Sequence, residues 1–379
     1  MYIPRFPKIE AKIEAGKVLV IYGARQVGKS FLVNKYLEKA ALETPALRRL
    51  FFNGEDVNTQ AIFSSMSLKT LDEAIGDAEL MVLDEAQVVR NVGISLKLLT
   101  DTKPRLKIIV TGSSSFELSG QIGEPLVGRM NVINLLPLWE KEIKDAGLLD
   151  YVTGFDFALR FGRYPAVFLE PVVEKKKEIL TNIVNSYLLK DILAFEKVKN
   201  SKLILDLLKL LAYQIGNEVS TNEIANKLSI SRNTVNRYLN LLEQNFIILS
   251  LGSFAKNLRN EIRKKEKYYF YDLGIRNALI ENFDTIDGRG DNGALFENFL
   301  IVERRKRNAY TDPYKSVYFW RKLSGAEVDF VETYSNRIDG YEFSLKEKAS
   351  NKSKISWLEN YNNATWKNIH KDNYKDFII

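Results

Sequence analysis

Residues 23–30 read Gly23-Ala24-Arg25-Gln26-Val27-Gly28-Lys29-Ser30, which is the spacing G-x-x-x-x-G-K-[ST] of a phosphate-binding loop, or P-loop. An apolar run from Val18 to Tyr22 precedes this stretch, and a run compatible with a helix follows it from Phe31 to Lys39. A strand before the loop and a helix after it are the context that the pattern requires. The stretch therefore predicts a nucleotide-binding loop that includes residues 23–31.

The fixed positions of this pattern have separate physical tasks. Glycines allow positive φ angles and let the backbone approach a phosphate closely. Successive backbone N–H groups then form an anion site at the start of the helix. Lys29 would reach the β- and γ-phosphates, and Ser30 would offer its hydroxyl to Mg²⁺. The alternative is a tight glycine turn between a strand and a helix.

The composition restricts the chemistry that is open to the chain. Its 379 residues include no cysteine and a single histidine, His370, which excludes disulfides, thiolate metal sites, cysteine nucleophiles and sites with two imidazoles. The N-terminus lacks the apolar core of a signal peptide, and no apolar stretch is long enough to span a bilayer. We therefore expect a soluble, cytoplasmic protein with no membrane partner. The net charge of +7 permits nucleic-acid binding but does not require it.

The first part of the chain, residues 1–138, alternates short apolar runs with helical stretches. This alternation is typical of an α/β domain with a parallel sheet. We expect strands at 17–22, 49–53, 80–83, 106–111 and 130–135. All are apolar, as strands that are buried on both faces should be.

The rest of the chain changes character twice. Residues 139–200 read as a helical lid, with proline and glycine between the helices. Residues 201–255 read as helix, short turn, helix and strand, which is the outline of a winged helix-turn-helix. Residues 256–379 mix strands with a helix, which predicts a C-terminal α+β domain. A length of 379 residues suits two to four domains.

A second motif follows the predicted strand at 80–83. The apolar residues Leu80 to Leu83 precede Asp84 and Glu85, which is the pattern of a Walker B motif. Asp84 would hold Mg²⁺ through water, and Glu85 would act as the general base on the attacking water. Ligands bind outside the carboxyl ends of the strands in such sheets, so we expect both acids beside the P-loop. The alternative is a solvated acidic pair at the start of a loop.

Further polar residues complete the predicted catalytic set. Ser113 follows the strand at 106–111 and is the first choice for contact with the γ-phosphate, with Thr111 second. Arg129 and Arg163 are candidates for stabilising negative charge in the transition state. The alternatives are ordinary loop chemistry for Ser113 and a surface or internal ion pair for each arginine.

These motifs together resemble a prokaryotic group of AAA-type ATPases whose C-terminal half carries a domain of unknown function. The resemblance covers nearly the whole chain. It rests on Gly-x-Arg-Gln-Val-Gly-Lys-Ser (23–30), Leu-Asp-Glu-Ala-Gln (83–87), Thr-Gly-Ser-Ser-Ser (111–115), Val-Gly-Arg (127–129) with Leu-Leu-Pro-Leu (135–138), and Gly-Arg-Tyr-Pro (162–165). It implies ATP as the nucleotide, an AAA-type ATPase core at 1–138, a winged-helix segment and a C-terminal domain similar to PD-(D/E)xK nucleases.

The nuclease-like domain that the resemblance implies can be compared with the residues present. Such sites need acids that hold Mg²⁺ and a lysine that positions water. Glu297, Asp329 and Glu342 fall at the acidic positions, but Ser344 occupies the lysine position. Lys346 shares the strand face of Glu342 and lies two residues beyond the lysine position at Ser344, a displacement of about 7 Å. We therefore expect a degenerate, inactive site in which the acids form a structural polar cluster; a compensating Lys346 is the alternative.

The second helix of the winged-helix segment carries side chains suited to DNA. Arg232, Asn233 and Arg237 are of the types that contact the edges of G and A. Ser231 fits the N-cap of this helix. Basic residues nearby suit phosphate contacts: Lys256, Arg259, Arg263, Lys264, Lys265, Lys267 and the run Arg304-Arg305-Lys306-Arg307. The alternative is a module that contacts protein, with solvated lysines around it.

Three functions are consistent with these residues. The first is a Mg²⁺-dependent ATPase that is coupled to DNA or to a regulatory partner. The second is a nucleotide-sensing switch with slow turnover that binds DNA or protein, and the third is a nuclease gated by ATP. Glu85 and the arginines favour turnover, while Ser344 weighs against the nuclease. The partners considered are ATP, DNA, another protein and a second copy of the chain.

Overall fold

The computed structural model describes residues 2–112, 123, 125–148, 154–188, 201–255, 266–322, 325–347 and 352–379. The chain divides into two compact units. The sheet unit comprises Arg5–Leu136 and Gln244–Phe246. The C-terminal unit comprises Met1–Pro4, Pro137–Glu243 and Ile247–Ile379. The four domains expected from the sequence, and the boundaries between them, stay predictions.

A parallel sheet with the strand order β2-β3-β4-β1-β5 forms the centre of the sheet unit. Its strands are β1 (Val18–Tyr22), β2 (Arg49–Asn53), β3 (Leu80–Asp84), β4 (Lys107–Gly112) and β5 (Met130–Asn134). Each boundary lies within one residue of the predicted one. The expected α/β fold with a parallel sheet is confirmed.

The helices of the sheet unit begin at residues that can cap them. They are α1 (Lys29–Glu43), α2 (Val57–Ser64), α3 (Leu68–Ile75) and α4 (Val92–Thr102). The Asp56 carboxylate caps α2 by accepting the Thr59 N–H at 2.8 Å, and the Ser67 hydroxyl accepts the Thr70 N–H at the start of α3. Phe63, Leu71 and Leu96 from α2, α3 and α4 belong to one buried cluster with alternate residues of the strands. This burial fixes the sheet on which the site is built.

The strand order determines which side chains meet at the carboxyl edge. Strand β4 pairs with β1 on one side and with β3 on the other. The P-loop follows β1, and the acidic pair lies at the end of β3. The ends of these strands are therefore neighbours, with the end of β4 between them.

The C-terminal unit begins with short helices. They are α5 (Glu140–Asp145), α6 (Gly154–Phe161), α7 (Pro165–Leu169) and α8 (Val173–Asn182), with a π-helical stretch at Ile183–Leu188. The Asp272 carboxylate accepts hydrogen bonds from the backbone N–H of Arg163 at 2.6 Å and from that of Ile275 at 3.2 Å. A Cβ at Gly162 would lie 2.0 Å from the Asp272 carboxylate, so this turn requires glycine.

A small antiparallel sheet and three helices follow. The elements are α9 (Ser201–Tyr213), β6 (Glu218–Val219), α10 (Thr221–Leu228), α11 (Arg232–Gln244), β7 (Ile248–Leu251) and β8 (Glu266–Phe270). The strands pair in the order β6-β8-β7. The Ser231 hydroxyl accepts the Thr234 N–H at 3.1 Å, which is the N-cap contact expected for α11.

The last part of the unit is a sheet with the order β12-β11-β10-β9. This part of the chain comprises α12 (Leu273–Leu279), α13 (Asn292–Thr311), β9 (Ser316–Arg321), β10 (Glu327–Tyr334), β11 (Arg337–Phe343), α14 (Lys352–Asn360), β12 (Ala364–Ile369) and α15 (Tyr374–Ile378). Strands β11 and β12 are parallel, and the other pairs are antiparallel. Trp320, Trp357 and Tyr361 form the centre of the local core.

Candidate functional site

Two glycines determine the shape of the loop between β1 and α1. Gly28 has a φ of +97°, in the left-handed region that favours glycine, and it caps the N-terminus of α1. A Cβ at Gly23 would lie 2.2 Å from the Leu135 carbonyl oxygen. Both glycines of the motif are therefore required by geometry, one for its conformation and one for a close backbone contact.

The lysine of the loop is buried at its centre. Lys29 is 5% exposed, and its Nζ donates hydrogen bonds to the carbonyls of Gly23 at 2.9 Å and Ala24 at 3.1 Å. A charged phosphate oxygen forms a stronger hydrogen bond with an ammonium group than a neutral carbonyl does. Lys29 is thus placed where a phosphate could replace carbonyl contacts favourably.

A direct hydrogen bond joins the P-loop to the acidic pair after it. Ser30 Oγ donates to Asp84 Oδ2 at 2.8 Å, and the Thr111 hydroxyl donates to Asp84 Oδ1. The residues predicted to hold a metal, Ser30 and Asp84, are therefore adjacent. A hydroxyl and a carboxylate are hard oxygen ligands, and they suit Mg²⁺, which keeps several waters and takes few protein ligands.

The turn that carries Glu85 is held by its backbone. Glu85 has a φ of +53° and donates its N–H to Thr111 Oγ1 at 3.0 Å. The Gly54 N–H donates to the Asp84 carbonyl at 2.7 Å, and a Cβ at Gly54 would lie 2.5 Å from the Glu85 carbonyl oxygen. The Glu85 side chain stays partly exposed and accepts a hydrogen bond from the Gln87 amide. These contacts hold an accessible carboxylate next to Asp84 in a conformation that is uncommon for glutamate.

Thr111, near the end of β4, contacts both residues of the acidic pair. Thr111 is fully buried, and its hydroxyl donates to Asp84 while accepting from the Glu85 N–H. The sequence indicates Thr111 as the second candidate for the γ-phosphate contact. Ser113, the first choice, lies outside the described residues, so its assignment stays a prediction. A threonine at the end of a strand beside the acidic motif was the available signal.

Arg129 lies at the opposite edge of the sheet from the P-loop. Its carbonyl accepts the N–H of Val18, the first residue of β1, whereas the P-loop follows the last residue of that strand. Four residue steps along a strand separate the two edges by about 13 Å. The Arg129 Nε pairs with Asp101 at 2.9 Å, and both side chains are partly exposed. Arg129 therefore cannot act on the P-loop of its own sheet unit in this arrangement.

Arg163 forms an internal ion pair in the C-terminal unit. It is 5% exposed, and its Nη2 donates to Glu140 Oε2 at 2.6 Å. Its guanidinium carbon lies 5.8 and 5.7 Å from the ring centroids of Phe157 and Phe168. This geometry favours the internal ion pair over the predicted contact with a transferring phosphate, because the buried guanidinium is not accessible to a nucleotide.

Helix α11 has a buried side and an exposed side. Val235, Tyr238 and Leu239 are buried. The predicted DNA-contact residues Arg232, Asn233 and Arg237 are exposed. Most of the basic cluster between β7 and β8, residues 256–265, lies outside the described residues. The helix thus presents its polar side chains to solvent, as the DNA hypothesis requires.

The basic run at the end of α13 is not the phosphate-binding surface expected from the sequence. Arg304 makes a bidentate pair with Glu332 at 2.8 and 2.6 Å. Lys306 is 1% exposed and donates to Glu303 at 2.6 Å. Arg304 and Lys306 pair with acids inside the fold, because polar residues of α13 lie on its buried face as well as on its exposed face.

Lys267, which is expected from the sequence to contact phosphate, is instead 3% exposed and lies among the C-terminal acids. Lys267 Nζ from β8 lies 2.6 Å from Glu327 Oε1 and 3.4 Å from Glu297 Oε1. Tyr269 donates its hydroxyl to Glu297 at 2.6 Å. Asp329 belongs to the same cluster, since burial first and Glu297 next raise its pKa well above the usual value, while Lys267 opposes the rise. The cluster joins two of the predicted acids, Glu297 and Asp329.

Lys346 does not share the strand face of Glu342, contrary to the prediction from the sequence. Strand β11 ends at Phe343, so Lys346 lies beyond it and is exposed rather than beside the buried Glu342. Among the described residues, no group of three or more His, Cys, Asp or Glu could hold a metal ion. The cation within the acidic cluster is an ammonium group, and no local pattern links a lysine on β8 to acids 30 and 60 residues away.

Three family models match consecutive parts of the chain. Residues 15–144 match an AAA domain, residues 152–285 a domain of unknown function (DUF8612), and residues 292–373 a domain of unknown function (DUF4143). These matches support an AAA-type P-loop ATPase family with a C-terminal domain of unknown function. The AAA match contains the loop, the acidic pair and Thr111, so it supports an ATPase-type nucleotide-binding function at the site described above.

Two uncharacterised relatives match most of the chain. An uncharacterised protein of Methanocaldococcus jannaschii is 28% identical over 347 residues, which cover 85% of this chain and 74% of the relative. An uncharacterised protein of Haemophilus influenzae is 26% identical over 345 residues, which cover 85% of this chain and 80% of the relative.

Among solved structures, AMPPCP-bound DnaA from Aquifex aeolicus is 17% identical and covers 59% of this chain and 81% of its own, with a TM-score of 0.28. A TM-score this low marks a distant likeness.

In the part of the chain that the structure describes, no helix is long and apolar enough to cross a membrane.

Proposed function

We propose that the chain is an AAA-type ATPase that binds ATP at the P-loop and hydrolyses it with Mg²⁺. The observation that carries this proposal is the 2.8 Å hydrogen bond from Ser30 Oγ to Asp84 Oδ2, which joins the two motifs. A P-loop hydroxyl and a Walker B carboxylate are the groups that hold Mg²⁺ in P-loop ATPases. When bound, the ion would neutralise charge on the β- and γ-phosphates.

The proposed roles follow from the position of each side chain. Lys29 binds phosphate oxygens in exchange for its contacts with loop carbonyls. Glu85 accepts the proton of the attacking water, which suits its partly exposed carboxylate. Thr111 keeps Asp84 and the Glu85 backbone together through one hydroxyl. Ser113 contacts the γ-phosphate in this proposal.

Arg129 is proposed to act on the nucleotide of a second copy of the chain. Its place at the amino edge of the sheet supports this role, because a second copy could offer its own P-loop to that edge. The Asp101 pair is partly exposed, and exposed ion pairs of this kind contribute only about 0–1 kcal/mol. Exchange of Asp101 for a phosphate would therefore cost little.

We further propose that residues 201–255 are a winged helix-turn-helix that binds DNA. Support comes from the element order α9, β6, α10, α11, β7, from the pairing of β6 and β7 with β8, and from the exposed arginines of α11. Residues 139–200 would be the lid of the ATPase, whose core is 1–138. Residues 256–379 would be a nuclease-like remnant without activity; in its support, no group of three or more His, Cys, Asp or Glu among the described residues could hold a metal ion.

A steady-state assay tests the proposal. We expect ATP hydrolysis that requires Mg²⁺ and is lost in EDTA, with a rate that rises when double- or single-stranded DNA is added. A slow rate that does not respond to DNA would favour the nucleotide-sensing switch, and absence of nucleotide binding would overturn the ATPase assignment. Plasmid incubated with Mg²⁺ or Mn²⁺ and ATP is expected to remain intact.

A further inference from the structure

A buried arginine from the start of the sheet unit contacts the P-loop directly. Arg5 is 5% exposed; its Nη1 donates to the Val27 carbonyl at 2.5 Å and its Nη2 to the Leu136 carbonyl at 2.5 Å. The planar guanidinium thus bridges two backbone oxygens that lie far apart in the sequence. No motif marks Arg5, which precedes the loop by 18 residues.

The Val27 contact determines the direction of one peptide group in the loop. In a trans peptide, the C=O of one residue and the N–H of the next point in opposite directions. The Val27 carbonyl points to Arg5, so the Gly28 N–H points away from the arginine. Gly28 belongs to the N–H groups that a phosphate-binding loop offers to its anion. Arg5 therefore holds the Val27–Gly28 peptide so that the Val27 carbonyl points to the arginine and the Gly28 N–H points to the anion site.

The same peptide is one that could reverse without this contact. Gly28 at φ +97° has no Cβ to resist rotation, and Gln26, one residue before Val27, also has a positive φ of 64°. A reversed peptide would turn the Val27 carbonyl toward a phosphate, and the partial negative charge of its oxygen would then face the negative charge of the phosphate. A fixed arginine is thus a direct way to keep the anion-accepting orientation.

Both ends of the loop are anchored on the residues that follow β5. The Leu135 N–H donates to the Tyr22 carbonyl at 2.7 Å, and the Leu135 carbonyl packs against Gly23 at the start of the loop. Leu136, the next residue, is tied through Arg5 to Val27 near the end of the loop. Arg5 completes this frame, because its guanidinium links Leu136 to Val27.

We propose that Arg5 is a positioning residue that orients the Val27–Gly28 peptide for phosphate binding. The proposal rests on the proposed nucleotide binding at the same loop. It assigns to Arg5 an effect on affinity for the phosphate chain, shared by ATP and ADP. It assigns no part in the hydrolytic step, so the apparent KM for ATP should change while kcat at saturating ATP stays within about twofold.

Fluorescent ATP and ADP analogues, titrated into the full-length chain, test this role with two substitutions of Arg5. Arg5→Ala is expected to raise the Kd for both nucleotides at least tenfold. Arg5→Lys keeps the charge but cannot bridge two carbonyls with a planar fork, so its Kd should fall between wild type and Arg5→Ala. Arg49→Ala is the matched control, because Arg49 also donates to two backbone carbonyls, those of Thr44 and Pro45. Its Kd should stay within twofold of wild type.

The outcomes separate the positioning role from the proposed function. Wild-type affinity in Arg5→Ala would overturn the role of Arg5 and leave nucleotide binding intact. A wild-type chain that binds neither nucleotide would overturn both. If Arg5→Ala loses its folded structure, as measured by circular dichroism, Arg5→Lys decides: a raised KM with unchanged kcat supports the role, and wild-type kinetics contradict it.

Discussion

Two buried lysines in this chain contact different kinds of acceptor in the part that the structure describes. Lys29 in the sheet unit donates to the neutral carbonyls of Gly23 and Ala24. Lys267 in the C-terminal unit lies against the carboxylates of Glu327 and Glu297. Burial acts to lower the pKa of Lys267, but these acids and Asp329 outweigh it and raise that pKa. The ammonium group of Lys29 contacts carbonyl acceptors that a phosphate could replace. The ammonium group of Lys267 is paired with carboxylates of the protein itself.

The difference shows how the same residue types can make a ligand site or a structural cluster. An ammonium on carbonyls gains by binding phosphate, since hydrogen bonds between charged partners are roughly twice as strong as neutral ones. An ammonium already paired with carboxylates gains little, and removing it leaves buried charge uncompensated. Lys29 is therefore expected to control binding, and Lys267 to control stability.

Loss of the Lys29 side chain should have the largest effect on nucleotide binding. Lys29→Ala should abolish nucleotide binding, with a Kd raised at least 100-fold, because the loop loses the charge that meets the β- and γ-phosphates. Isothermal titration with ATP measures this directly, and Lys346→Ala, which removes an exposed lysine, is the control. ATP affinity close to wild type in Lys29→Ala would show that the loop is a plain turn.

Glu85 tests whether the sheet unit hydrolyses ATP or only binds it. Glu85→Gln removes the proposed base and retains the shape of the side chain, so hydrolysis should fall about 10²- to 10⁴-fold while the Kd for ATP changes little. Phosphate release and ATP titration on the same preparation measure both quantities. Hydrolysis at the wild-type rate would show that another group activates the water.

Lys267 tests the structural half of the comparison. Lys267→Met should destabilise the C-terminal unit by about 3–5 kcal/mol, because it leaves Glu297, Glu327 and Asp329 without their buried cation. ATP affinity should be retained. Thermal unfolding of the whole chain measures the first effect, and unchanged unfolding would mean that Lys267 is dispensable for stability.

The loss in Lys267→Met should depend on pH in a defined direction. The pKa of Asp329 is already raised by burial and by Glu297, and without Lys267 it should rise further. An acid whose folded-state pKa exceeds its unfolded value holds its proton better in the folded chain, so stability falls as pH rises between the two values. The destabilisation relative to wild type should therefore be smaller at pH 5 than at pH 8, and the opposite trend would contradict the cluster.

The sequence predicts the sheet unit well because its signals are local. The loop, the apolar strands and the Asp84-Glu85 pair each lie within a few residues, and the central strands β1, β3 and β4 are buried along most of their length. The ion pairs were not predictable in this way. Arg163 with Glu140, Arg304 with Glu332 and Lys267 with Glu297 join residues 23 to 30 positions apart. Only the tertiary fold decides whether such a charge is internal or exposed, and the same holds for Arg5 with Val27.

The smallest expected effect concerns a cation that remains exposed. Arg237 on α11 faces solvent, so Arg237→Ala should leave folding intact and weaken DNA binding by several-fold, with a salt dependence reduced by about one unit of slope if it contacts a phosphate. Arg337→Ala is the matched control, since Arg337 is exposed on β11 and its removal changes the net charge equally. Fluorescence anisotropy with a DNA duplex across a salt series measures both variants. Equal losses in the two would indicate general electrostatic attraction, and a loss confined to Arg237 would assign the contact to α11, because only a local contact distinguishes two arginines of equal charge.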